Sequence, residues 1–135
     1  MDLTQTYSMT IAALGAMAAL MFIQLLIADV IGIRLNHIPG SQVATDHKSI
    51  LFRVSRTAAN TCESIGIFIL AVLFCMLSGA DPTNTAYTAW AFICARLLYA
   101  ICYYLNLQLF RSIMFGMALI SLASLIVTGG AVWFR

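Results

Sequence analysis

The sequence predicts an all-α integral membrane protein: a four-transmembrane-helix antiparallel bundle formed by a single domain over residues 1–135. Three observations carry that expectation. Hydrophobic residues make up 62% of the chain and charged residues only 9%, whereas soluble domains carry about 25% charged residues. Four apolar segments, Ser8–Ile33, Ile50–Leu77, Thr85–Leu107 and Ser112–Trp133, reach the ~20 residues of helix that a hydrocarbon core requires. The last connection, Gln108–Arg111, is so short that the spans on either side of it must be antiparallel neighbours. A net charge of +2, thinly scattered, excludes a nucleic-acid footprint.

The first apolar run follows Asp2 with no Lys or Arg before it. It is too long for a signal-peptide core, so it is expected to be a permanent span. Ala12, Gly15, Ala16 and Ala19 repeat at small-xxx-small spacing on it, which predicts close packing within the bundle or between copies. The polar connection Leu35–Ser49 carries the turn pair Pro39-Gly40. In Ser78–Asn84, Gly79 is a helix stop, and Asp81-Pro82 is a cap followed by proline at the next helical start. Arg34, Lys48, Arg53, Arg56 and Arg111 lie at the end shared by the first and third connections, against Arg135 alone at the other. The positive-inside rule then places those two loops in the cytoplasm and both termini outside. Trp90 and Trp133 sit toward the outer ends of their spans, where interface aromatics belong. Cys62, Cys75, Cys94 and Cys102 show neither a disulfide framework nor metal spacing and read as small apolar side chains. Cys62 alone lies inside a polar run.

That run, Arg53 to Glu63, is the most informative part of the chain. Arg53, Arg56, Asn60 and Glu63 are spaced 3, 4 and 3 apart, which puts all four on one helical face entering a span. Arg96, Tyr99, Tyr103 and Asn106 repeat the same spacing in the third span. Ionisable groups in hydrocarbon cost at least ~2.5–3.5 kcal/mol each and mark functional sites by default. Counting ~1.5 Å per residue from the charged end, Glu63 and Arg96 both fall about 15–18 Å deep. They are therefore expected to form an ion pair at the floor of a cleft, a pair that could equally lock the two helices. Asn60 and Tyr99 come next, and Arg53, Arg56, Tyr103 and Arg111 form a cationic mouth. Such a site suits an anionic, peptide-like ligand with more than one carboxylate, since arginine binds carboxylates bidentately. Taken singly, Arg53 reads as an interfacial snorkelling residue, Tyr103 and Tyr104 as belt aromatics, and Asp29 as the partner of a basic neighbour. Eight polar residues converging on one end exceed such readings. His37 and His47 have no partner at metal spacing, so no metal is expected.

The two motifs, Arg53-Val-Ser-Arg56 with Asn60-Thr-Cys-Glu63, and Arg96-Leu-Leu-Tyr99 with Tyr103 and Leu109-Phe-Arg111-Ser112, resemble the second-, third- and fourth-helix patterns of the MAPEG family (membrane-associated proteins in eicosanoid and glutathione metabolism). The resemblance covers nearly the whole chain. It implies a homotrimer with glutathione bound between subunits at the cytoplasmic end. Arg53, Arg56, Asn60, Glu63, Arg96, Tyr99 and Tyr103 would then hold the tripeptide. Arg111, with Ser112 and with Arg34 from a neighbouring subunit, would stabilise the thiolate. Two departures matter. Ser64 stands where some members have an aromatic, and Tyr99 where prostaglandin-synthase-like members often have His, which argues against that reaction. The small size and short loops resemble the prokaryotic branch and imply a bacterial inner membrane.

The function this implies is a membrane-bound glutathione transferase or peroxidase. It would activate the thiol of its co-substrate against a lipophilic electrophile or a lipid hydroperoxide. The alternative is a non-catalytic member that binds lipid or serves as a scaffold. A transporter is a third reading, opposed by the lack of mid-helix Gly/Pro breaks.

Overall fold

The computed structural model describes residues 2–135, and the secondary structure among them is entirely helical. A single turn, α1 (Leu3–Thr6), precedes four long helices: α2 (Ser8–Arg34), α3 (Ile50–Ser78), α4 (Pro82–Tyr104) and α5 (Gln108–Trp133). All four long helices are long and apolar enough to cross a membrane. They run up and down in sequence order. α3 and α4 form the central pair, each packed on α2 and on α5, and α2 lies diagonally across from α5.

Helix ends follow local chemistry. Asp81 accepts a hydrogen bond from Asn84 N–H at 2.7 Å, and Pro82 occupies the first turn of α4, where its missing donor costs nothing. The far ends of α2, α3 and α4 close alike. Asn36, Gly79 and Asn106 take left-handed backbone with φ of 53°, 72° and 59°. His37 N–H then reaches Gly32 O at 3.0 Å, Ala80 N–H reaches Cys75 O at 3.0 Å, and Leu107 N–H reaches Cys102 O at 2.8 Å. This is the Schellman pattern, which satisfies carbonyls left free at a helix end.

The closure at Asn106 corrects the expected third span. α4 stops at Tyr104, three residues before Leu107, and α5 starts at Gln108, four residues before Ser112. Asn106 therefore leaves the Arg96–Tyr99–Tyr103 face and stands exposed in a connection of only three residues. Arg111 and Ser112, expected beside a loop, lie in the first turns of α5.

Each helix buries one stripe. On α2 it is Thr10, Ala13, Met17, Leu20 and Gln24, at the 3-4 spacing of a helical face. The core continues through Phe68 and Phe92, stacked at 4.5 Å, with Val72, Cys75, Leu122 and Leu125. The Cys75 thiol donates to Leu125 O at 3.0 Å, joining α3 to α5. Ala12, Gly15 and Ala19 point out of the bundle, and of the small-residue stripe Ala16 alone packs against the core of its own chain. Close helix approach occurs instead at Gly129, where a Cβ would meet Phe74 Cδ1 at 2.7 Å and the Cys75 backbone nitrogen at 3.4 Å. Gly129→Leu is expected to force α3 and α5 apart and to destabilise the bundle by about 1–3 kcal/mol, an overpacking cost readable by unfolding in mixed micelles.

Candidate functional site

The start of α3, the end of α4 and the start of α5 meet at the arginine-rich end of the bundle. Arg56 and Asn60 from α3, Tyr99 and Tyr103 from α4, and Arg111, Ser112 and Phe115 from α5 line one open groove of about 310 Å³. Six of these seven are residues singled out in the sequence. Phe115, the seventh, was missed. It lies four residues after Arg111, on the same helical face, and that spacing is the signal that pointed to it.

The groove is aromatic on one wall and cationic on the other. Tyr99 and Tyr103 meet edge-to-face at 5.5 Å, and Phe115 lies 6.1 Å from Tyr99. The Arg111 guanidinium sits 4.4 Å above the Tyr103 ring, a cation–π contact that restrains it without consuming its N–H donors. Arg111 also stands in the first turn of α5, whose opening N–H groups and dipole add positive potential. A thiol placed here is biased toward the thiolate, its nucleophilic form. Ser112 Oγ donates to Gln108 O at 3.1 Å, so in this rotamer its hydroxyl hydrogen is unavailable to a ligand.

Behind the groove runs a chain of polar contacts. Arg96, 1% exposed, donates from Nη1 to Asn60 Oδ1 at 2.9 Å and from Nη2 to Asn60 O at 2.5 Å. Asn60 Nδ2 in turn donates to Glu63 Oε2 at 3.3 Å, and Arg56 Nη1 to Glu63 Oε1 at 2.8 Å. Arg96 also lies over Tyr99 at 5.1 Å and Phe92 at 6.0 Å.

The expected Glu63–Arg96 pair is therefore corrected: Glu63 pairs with Arg56, the one salt bridge among the described residues. The reason is depth. Because α4 ends at Tyr104, Arg96 lies about 12 Å from that end and Asn60 about 15 Å from the start of α3, while Glu63 lies about 20 Å in. Arg96 meets the residue at its own level.

The other expected site residues fall outside the groove. Arg53 Nη1 donates to His47 O and Lys48 O, both at 2.8 Å, tying the connection Leu35–Ser49 to α3. Glu63 and Arg96 support the groove from behind, and Arg34 is exposed at the end of α2. Among the described residues Asp29 makes no salt bridge. With His37, Gly40 and Ser55 it lines a separate cavity between α2, the loop and α3. Cys62, exposed, lines a small apolar crevice beside Gln24.

Four membrane-length helices define a multi-pass integral membrane protein with a cationic, aromatic groove at one end. A sequence profile of the MAPEG family matches residues 9–131. The chain belongs to the MAPEG family, whose members include glutathione-dependent transferases and peroxidases. Comparison with curated proteins finds no match.

Proposed function

We propose that the protein is a glutathione-dependent membrane enzyme that binds the tripeptide in the groove between α3, α4 and α5 and activates its thiol against a lipophilic acceptor. The observation that carries this reading is the convergence of Arg56, Asn60, Tyr99, Tyr103 and Arg111 on one groove. Two guanidinium groups suit the two carboxylates of glutathione or one carboxylate and the thiolate. Glu63, outside the groove, accepts from Arg56 and Asn60 and holds both side chains in place for the ligand. Arg111 stabilises the thiolate, with Arg34 of a neighbouring copy as a secondary candidate, while Ser112 gives its hydroxyl hydrogen to Gln108 O.

In transfer, the thiolate sulfur bonds to an electrophilic carbon, and the displaced group leaves with its electron pair. In peroxide reduction, sulfur attacks the terminal hydroperoxide oxygen. The O–O bond breaks, the lipid leaves as its alcohol after taking up a proton, and the thiolate of a second glutathione attacks the sulfenic acid sulfur, breaking its S–O bond and releasing water to give the disulfide. The acceptor enters laterally from the bilayer, and no metal is required.

The same reading includes a homotrimer. Arg56 and Glu63 are 43% and 55% exposed on the isolated chain, yet they lie about 9–20 Å along a membrane helix. An exposed ion pair at that depth is costly against lipid, and a second copy covering α3 would shelter it. Such a neighbour could also bring the basic end of α2, Arg34, to the groove. Loops Leu35–Ser49 and Leu105–Leu107 face the cytoplasm in a bacterial inner membrane.

The test is binding of glutathione to the detergent-purified protein and conjugation to a chlorinated nitrobenzene. Arg56→Ala is expected to weaken glutathione binding about tenfold or more, as loss of a charge-assisted hydrogen bond does. Absence of binding at millimolar glutathione would sink the proposal.

A further inference from the structure

Among the described residues Arg111 has neither a salt bridge nor a side-chain hydrogen bond. Its guanidinium is therefore placed by the ring beneath it, Tyr103, at 4.4 Å. A cation–π contact fixes a guanidinium only as well as the ring is fixed. Tyr103 is buried, and two other rings meet it. Tyr99, on the same helix, meets it edge-to-face at 5.5 Å. The second ring comes from outside the residues that line the groove. His47, in the connection Leu35–Ser49, lies stacked against Tyr103 at 6.3 Å with 26° between the planes.

His47 is held there by backbone and ring together. Asp46 closes a turn around it: Lys48 N–H donates to Asp46 Oδ1 at 2.9 Å, and Ser49 N–H to Asp46 O at 3.0 Å. Arg53, from the first turn of α3, donates through Nη1 to the carbonyls of His47 and Lys48, both at 2.8 Å. The imidazole packs edge-on against Phe52 of α3 at 5.0 Å, with 83° between the rings. His47 thus spans from the start of α3 to the end of α4. Its bonded polar atom is the backbone carbonyl, and neither ring nitrogen has a hydrogen bond among the described residues. The side chain works as a flat ring rather than as a donor or acceptor.

We propose that His47 is a positioning residue for Arg111, an assignment whose catalytic consequence rests on the glutathione reading above and whose geometry does not. The Arg53-held turn sets the imidazole on Tyr103, and Tyr103 in turn seats the guanidinium on α5. Arg53 then serves the site without touching a ligand, as the strap that holds His47. Loss of the imidazole frees the Tyr103 ring on its outer side, and the guanidinium loses its fixed place.

Fluorotyrosine-labelled protein in detergent tests the geometry with no ligand present. The chain has five tyrosines, and loss of one fluorine signal in Tyr103→Phe identifies that of Tyr103. Arg111→Ala is expected to displace this signal. In a His47→Ala background the same substitution is expected to displace it less, because the guanidinium has already left the ring. His47→Phe, which keeps a flat ring on Tyr103, should restore the full displacement. In conjugation of glutathione, His47→Ala is expected to lower turnover about tenfold, part of the 10²–10³ of a preorganised donor, with glutathione Kd nearly unchanged. His47→Phe should recover the rate. A displacement as large in His47→Ala as in the parent protein overturns the proposal, as does a rate in His47→Phe no better than in His47→Ala. A protein that shows the coupled displacement but binds no glutathione supports the positioning of Arg111 and refutes the glutathione reading.

Discussion

Arg111→Ala is expected to lower the turnover of glutathione conjugation about 100-fold or more while leaving glutathione bound. The size follows from what the side chain does. Its guanidinium, seated over Tyr103 at 4.4 Å, is fixed before the ligand arrives, and a preorganised donor aimed at developing or resident negative charge contributes about 10²–10³ in rate. A carboxylate anchor would behave differently, raising KM or Kd with less effect on turnover. Arg56→Ala should show that second behaviour, so the pair of variants separates holding from activating. Arg111→Lys keeps the charge but not the planar stacking on Tyr103 and is expected to recover only part of the rate. Ser112→Ala should change little, because its hydroxyl is already given to Gln108 O.

Asn60→Leu is expected to have the largest effect on stability. Asn60 supplies both acceptors of Arg96, through Oδ1 and its backbone carbonyl, in the middle of a membrane helix pair. Leucine keeps the carbonyl but removes the side-chain acceptor, leaving a buried guanidinium short of a partner. Removing one partner of a buried charge costs about 3–5 kcal/mol. Neutralising the charge should return part of that loss: Arg96→Met in the Asn60→Leu background is expected to be more stable than Asn60→Leu alone. Unfolding of the four proteins of this double-mutant cycle in mixed micelles measures the coupling. Equal effects added independently would mean that Arg96 and Asn60 do not depend on each other.

The four spans, their order and the clustering of arginines at one end were legible in the residues because they rest on composition, helical period and breaker chemistry. Gly79 and Asp81-Pro82 stop and start helices as read. Asn106 was not legible in the same way. Asparagine at helical spacing looks like one more member of a polar face, and only the hydrogen bonds of Leu107 and Asn106 back onto α4 reveal that it closes the helix. That single misplaced end carried the Glu63–Arg96 pairing with it, since three residues of helix move a side chain by about 4.5 Å. Arg53 shows a different limit. Its spacing put it on the ligand face, but a long side chain near a helix start can turn back, and it serves the carbonyls of His47 and Lys48 instead. Most of the small-residue stripe on α2 faces outward because Ala13, Met17, Leu20 and Gln24 form the buried face, and Ala16 alone of the stripe borders it.

On the proposed function, this groove binds glutathione and holds it as the thiolate. Ultraviolet difference absorption of the thiolate, recorded as glutathione is added to the purified protein at neutral pH, tests it most directly. A saturable thiolate band is expected in the unmodified protein, and binding without the band in Arg111→Ala. Glutathione that binds as the thiol, or a thiolate band of full size in Arg111→Ala, would contradict it.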